Sequence, residues 1–230
     1  MKKHIPNCIT LLNLFSGCIG VVMTFNQHFD YALLCMLLSA MFDFFDGMAA
    51  RALKAYSNIG KELDSLADMV SFGFLPGMIV FQLLSAHASY NYLPYIGFLI
   101  TLFSALRLAK FNVDERQTTD FIGLATPANA LFWGSLGAGY ELSITQYPYL
   151  LLILTLTMSL LLVAEIPFFS LKFKSLKWKN NQVRFIFLIG CVPLVVYFLK
   201  SAFVWIIGWY IVLAVGLALK KRIYPTQPQN

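Results

Sequence analysis

Two stretches decide the reading of this chain: Asp43-Phe44-Phe45-Asp46-Gly47-Met48-Ala49-Ala50-Arg51 and, eight residues further on, Gly60-Lys61-Glu62-Leu63-Asp64-Ser65-Leu66-Ala67-Asp68. Each places a pair of aspartates next to a long apolar run. Aspartate at the centre of a membrane helix costs about 2.5–3.5 kcal/mol on insertion scales, so four of them call for a reason. Asp43 and Asp46 are three residues apart, and Asp64 and Asp68 are four apart. Each pair therefore shares one face of a helix. A short turn near Ser57-Asn58 makes the two helices antiparallel, so the pairs can face each other within about three turns of one membrane surface. Gly47 and Ala50 continue the face of Asp43, and Gly60 precedes Asp64 by one turn. Small residues there let a neighbouring backbone or a large ligand approach closely.

The rest of the chain supports a membrane setting. Of 230 residues 59% are apolar and only 12% charged, against roughly 25% charged in soluble domains. The mean hydropathy is +0.70. Such a chain is neither disordered nor an ordinary soluble globule, because its apolar residues come in blocks too long to hide in a core of this size. Helices are expected at about 9–26, 31–54, 58–86, 92–113, 124–142, 148–170, 184–199 and 202–219. This is an all-α bundle of about eight transmembrane helices in one domain covering 1–230, with catalytic spans over about 5–130 and additional C-terminal spans over about 148–222.

Eight spans put both termini on one side. Of the 17 Lys and Arg residues, 16 then fall on the side of the N-terminus and only Lys200 on the other. The positive-inside rule makes the first side cytoplasmic, giving N-in and C-in topology. The net charge of +6 is thus a topology signal, not a nucleic-acid footprint. Met1-Lys2-Lys3 before an apolar run is shaped like a secretory signal, but Asn7, Thr10 and Asn13 interrupt that run and further spans follow. Cys8, Cys18, Cys35 and Cys191 show no metal spacing. The Lys-rich run 172–179 reads as a belt on anionic lipid headgroups.

Four converging carboxylates repel one another unless protonated or neutralised by a cation. Hard oxygen ligands without nearby Cys or His suit Mg²⁺, Mn²⁺ or Ca²⁺. Two divalent ions would balance four negative charges, still attract phosphate, and support in-line displacement at phosphorus. Arg51 lies at the same mouth, where it can clamp a phosphate.

The string DxxDGxxAR-x8-GxxxDxxxD resembles the signature of the CDP-alcohol phosphotransferase family, with every fixed position matched. The resemblance implies a membrane enzyme that moves a phosphatidyl or similar group from a CDP-linked donor to an alcohol and releases CMP. It implies metal binding at Asp43, Asp46, Asp64 and Asp68, a general-base role for Asp68, and a homodimer. Three further stretches resemble the bacterial membrane-integral phosphatidylserine synthase branch: Pro6-Asn7-x-x-Thr10-x-x-Asn13, Leu63 to Gly73, and Leu106-Arg107-Leu108-Ala109-Lys110-Phe111-Asn112 followed by Phe121-Ile122-Gly123-Leu124-Ala125-Thr126-Pro127. That branch implies CDP-diacylglycerol and L-serine as substrates and a bacterial inner membrane, with the site facing the cytoplasm. This chain departs from the branch by Lys110, where a second arginine is usual, and by Ala125, where a proline is usual.

The expected contacts follow. Asn7, Thr10, Asn13, Gly47, Arg51 and Gly60 would receive the CDP-lipid, and Arg107, Lys110 and Asn112 the serine carboxylate. Lys110 keeps the charge but loses the planar fork of arginine. Glu165, before Ile166-Pro167, reads as a structural acid near the membrane surface. A sibling using glycerol 3-phosphate or inositol is the nearest alternative. A divalent-cation transporter is the alternative of another class, and it gives Gly47, Gly60 and Arg51 no role.

Overall fold

A computed structural model describes residues 4–86, 92–114, 121–171, 178 and 181–223. The Lys-rich run, apart from Trp178, lies outside the described residues, as does Arg116. The described residues are mostly helical, with one two-residue antiparallel ladder among them: α1 (Ile5–Phe25), α2 (Phe29–Ala52), α3 (Asn58–Asp68), α4 (Leu75–Ser85), α5 (Phe98–Val113), β1 (Phe121–Ile122), α6 (Thr126–Ile144), α7 (Pro148–Val163), β2 (Pro167–Phe168), α8 (Gln182–Phe198) and α9 (Ala202–Ile223). It is the expected all-α bundle.

The first helix shows how such a sequence folds in lipid. The residues it buries are Pro6, Thr10, Asn13, Ser16, Gly17, Gly20 and Thr24. Its outward face carries Leu11, Leu12, Phe15, Val22 and Phe25, all exposed. This is the inverse of a soluble amphipathic helix. Small and polar residues face the protein because close packing and interhelical hydrogen bonds, not hydrophobicity, hold helices together in lipid. The position a Cβ would take on Gly17 falls on the Ser71 side chain, and that on Gly20 lies 2.7 Å from a Leu75 methyl. Larger residues would drive α1 off α4 and the turn that precedes it.

Five stretches are long and apolar enough to cross a membrane among the described residues: Ile5–Phe25, Phe29–Ala52, Asn58–Ser85, Leu93–Val113 and Gln182–Lys220. That is fewer than the eight crossings expected, for three reasons. The 39-residue stretch at the C-terminal end is a folded-back pair, α8 and α9, broken at Leu199 where φ is +44°. Gly190 consequently lies against Trp209, and the rings of Phe187 and Tyr210 are 5.5 Å apart. α7 has only 16 residues. α6 has the length but is diluted by Thr126, Asn129, Gly134, Ser135, Gly137 and Gly139. It needs less hydropathy because it is the enclosed helix, with Trp133 fully buried and Gly134 and Gly137 set against Met36 and Ile79.

One boundary lies seven residues from expectation, and one expected span is interrupted. α7 stops at Val163 instead of 170, because Ala164 turns extended (ψ 140°) and Pro167 cannot continue a helix. The third expected span is continuous from 58 to 85 but passes through a π-helical turn, Met69–Phe74.

Lys200 reaches Asp30, in the first turn of α2, at 2.9 Å. Asp43 lies 13 residues further along that helix, about 20 Å away at 1.5 Å per residue. The single basic residue assigned to the far side thus sits at the opposite end of the bundle from the acids.

Candidate active site

The acids come from the end of α2 and from α3. Leu53, Lys54 and Ala55 reverse the chain, with Lys54 in the left-handed region (φ 50°) and the Ala55 amide returning to the Ala50 carbonyl. Ser57 caps α3, its hydroxyl accepting the Gly60 amide at 3.0 Å. The two helices then run back past each other, as the spacing requires.

Asp43, Asp64 and Asp68 each present an oxygen, and these three oxygens lie within 4.8 Å of one another. All three residues are half-buried. One oxygen of Asp64 is buried with no hydrogen-bond partner. Carboxylates packed this closely, with an orphaned lone pair among them, fit a hard divalent cation. Asp46 stands at the same mouth but outside this trio. It is 6% exposed, and its Oδ2 lies 2.6 Å from the Thr10 hydroxyl. That hydroxyl is also 3.0 Å from the Pro6 carbonyl, so it donates to one or the other.

Asp68 is held from the first helix: the Asn13 amide donates to its Oδ1 at 3.2 Å. The Asn13 carbonyl in turn accepts from Ser39 at 3.1 Å and from Ser71 at 3.0 Å. Three segments of chain are pinned at one peptide beside the acid. The π turn begins at the next residue, Met69, and closes with the Leu75 amide on the Val70 carbonyl. The Thr101 hydroxyl donates to the Gly73 carbonyl at 3.1 Å, tying this turn to α5. Such single π turns recur where a helix must aim a functional side chain.

A cavity of about 220 Å³ opens beside the trio. Asn7, Thr10, Asp46, Gly47, Gly60 and Asp64 are among its walls. Four of the six residues expected to receive the CDP-lipid therefore share one surface with two of the acids. A Cβ on Gly60 would come 3.1 Å from Asn7 Oδ1, so the glycine keeps this wall open. Asn13 is fully buried, is not among the residues that line the cavity, and is committed to Asp68. Arg51 is exposed in the last turn of α2, its Nη1 3.8 Å from where a Cβ on Gly47 would sit.

On the other side of Asp68, Arg107 is only 8% exposed. Its guanidinium donates to the Thr126 hydroxyl at 3.2 Å, lies 5.3 Å over the Phe111 ring, and is within electrostatic reach of Asp68. Arg107 and Lys110 line a second cavity of about 400 Å³ together with Asp114 and Glu165. Asn112 does not reach this cavity. Its amide donates to Ser65 at 2.8 Å, and its carbonyl accepts from Lys61 at 3.0 Å, so it braces α5 against α3.

The sequence assigns Thr126 and Ser65 no role of their own, and Glu165, expected to be a structural acid, instead lines the cavity of Arg107. Thr126 opens α6 next to Pro127, a helix-start signal that fixes where the residue sits but not what it touches.

Fold and site together define a polytopic helical membrane protein with a half-buried acid cluster suited to divalent cations. The chain belongs to the CDP-alcohol phosphatidyltransferase family, whose model matches residues 3–219. It is similar to a CDP-diacylglycerol–serine O-phosphatidyltransferase of Bacillus subtilis, 37% identical over 72% of this chain and 90% of that protein. A protein of that name from Methanocaldococcus jannaschii is 30% identical over 83% of each chain. An archaetidylserine synthase of Methanothermobacter thermautotrophicus is 33% identical over 55% of this chain and 54% of its own length.

Proposed function

We propose that this protein is a CDP-diacylglycerol–serine O-phosphatidyltransferase, which moves the phosphatidyl group of CDP-diacylglycerol onto the hydroxyl of L-serine and releases CMP. The observation that carries the reading is the convergence of Asp43, Asp64 and Asp68 within 4.8 Å, beside a buried arginine. The names of the relatives in Bacillus subtilis and Methanocaldococcus jannaschii agree with it.

Asp43, Asp64 and Asp68, with Asp46 at the rim, would hold two divalent cations, Mg²⁺ or Mn²⁺, and the same oxygens would also bind Ca²⁺. When bound, such ions neutralise the diphosphate and the charge that develops on the departing CMP. The small cavity of Asn7, Thr10, Gly47 and Gly60 takes the nucleotide end of the donor, and exposed Arg51 waits at its edge. Serine enters the larger cavity with its carboxylate toward Arg107 and Lys110. Its hydroxyl then points to Asp68, which takes the proton as the oxygen–phosphorus bond forms and the bond to CMP breaks. Asn13 keeps the acceptor oxygen of Asp68 aimed.

The reading places the protein in a bacterial inner membrane with the acids facing the cytoplasm, supported by the charge asymmetry of its loops. A homodimer as the working unit rests on the family resemblance alone. The deciding experiment is CMP release from CDP-diacylglycerol by purified protein with L-serine, glycerol 3-phosphate or inositol. Release that depends on serine, with phosphatidylserine as the lipid product, supports the reading. Release with another acceptor alone would assign a sibling activity. Metal flux into liposomes without any CDP-lipid would instead indicate a transporter.

A further inference from the structure

The cavity on the far side of Arg107 is charged in both senses. Arg107 and Lys110 line it from α5, and Glu165 lines it from the segment after α7. Arg107 is buried and its guanidinium is met by a hydroxyl and a ring, with no carboxylate bonded to it among the described residues. Glu165 is exposed and makes no hydrogen bond or ion pair among the described residues. Asp114, also on the wall, already has an interaction of its own. Two cations and an unpaired anion lining one cavity are complementary to a molecule carrying both charges.

The backbone that carries Glu165 is fixed. The Gly123 amide donates to the Ile166 carbonyl at 3.0 Å, and the Leu124 amide to the Leu161 carbonyl at 2.8 Å. Ile122 pairs with Pro167 in the ladder. Gly123 has φ +78°, and a Cβ there would lie 2.5 Å from the Leu162 carbonyl oxygen. The strand that leads into Thr126, the hydrogen-bond partner of Arg107, is thus bonded on both sides of Glu165. The two charges are held in register by one short ladder.

We infer that Glu165 receives the ammonium group of the amino-acid acceptor, in the same cavity as the carboxylate site at Arg107 and Lys110, and so selects an amino acid over acceptors that lack a positive charge. This rests on serine being the acceptor. Glycerol phosphate and inositol would leave Glu165 unpaired in the loaded cavity, which disfavours them.

The test compares L-serine with 3-hydroxypropionate, which keeps the carboxylate and primary hydroxyl but lacks the ammonium. In the wild type, kcat/KM for CMP release is expected to be about 10- to 100-fold higher with serine, the range of one charge-assisted hydrogen bond. Glu165→Gln should raise the serine KM by about that factor with little change in kcat, and leave 3-hydroxypropionate unaffected. Glu165→Asp should restore most of the preference. The idea fails if the wild type uses the two acceptors equally. It also fails if Glu165→Gln leaves the serine KM unaltered, or lowers both acceptors by one factor. Absence of any serine-dependent CMP release from the wild type would overturn the acceptor assignment itself, a result distinct from these.

Discussion

Asn13 and Asp68 are 55 residues apart in sequence and 3.2 Å apart in space, the amide of one donating to the carboxylate of the other. This bond sets which way the Asp68 carboxylate points, and the Asn13 peptide is itself fixed by Ser39 and Ser71. Removing it should misaim the base without emptying either cavity. Asn13→Ala is expected to lower kcat by about 10- to 100-fold, the worth of a hydrogen bond to a charged group, while leaving the serine KM near its wild-type value. Steady-state CMP release over a serine titration reads both.

Asp68 itself is the proposed proton acceptor. Asp68→Asn keeps the shape and removes the basicity, so turnover should vanish while CDP-diacylglycerol binding largely persists. Retention of labelled CDP-lipid by the purified variant checks the second half. Wild-type-like CMP release would refute the assignment. Chelation of divalent ions should likewise silence the wild-type protein, and added Mg²⁺ or Mn²⁺ should restore it.

Much of this site was legible in the sequence because its chemistry is periodic. The spacing of Asp43, Asp46, Asp64 and Asp68 put each pair on one helix face, and the structure brings three of them together at the ends of two consecutive antiparallel helices. Arg107 was legible as a cation near the same surface. What stayed hidden depends on contacts that no local pattern encodes. Nothing around Met69–Phe74 announces a π turn, since the i→i+5 bonds form only when Thr101 and Ser104 pack against Gly73. Asn112 has the right position for substrate, but Ser65, 47 residues away, claims its amide. The ladder of β1 and β2 is two residues long, too short for any alternation to show, and it joins segments separated by a whole helical hairpin. Glu165 could not be placed in the cavity of Arg107 without it.

Thr10 supports Asp46 through a 2.6 Å contact in a nearly closed setting. Thr10→Val keeps the volume and deletes the donor. Residues that orient metal-binding carboxylates typically change metal affinity or activity by about 10- to 100-fold when removed. The expected result is a rise of that order in the Mg²⁺ or Mn²⁺ concentration needed for half-maximal CMP release, with the maximal rate largely recovered at saturating metal. An unchanged metal requirement would remove Asp46 from the metal-holding set.

Gly123 holds the ladder in a conformation that side chains rarely adopt, with the Leu162 carbonyl where a Cβ would go. Gly123→Ala carries both penalties, together about 1–3 kcal/mol. The variant is expected to unfold at a lower temperature in detergent and to need more serine for half-maximal rate, because the Glu165 segment loses its register against α6. CDP-diacylglycerol retention should be spared, since the small cavity is built from α1, α2 and α3.

The far end of the bundle offers a contrast between charge and packing. Lys200 pairs with Asp30, but the two side chains are 58% and 62% exposed, and such a pair contributes about 0–1 kcal/mol. The hairpin tip is fixed more firmly by its backbone. Ser135 on α6 donates to the Lys200 carbonyl at 2.6 Å, and a Cβ on Gly139 would fall against Ser201. Lys200→Ala should therefore leave thermal stability in detergent nearly unchanged. Gly139→Leu should lower it clearly, by overpacking worth about 1–3 kcal/mol. If Lys200→Ala proved the more damaging of the two, the α8–α9 hairpin would be held by its ion pair, and the close approach of Gly139 to Ser201 would be incidental.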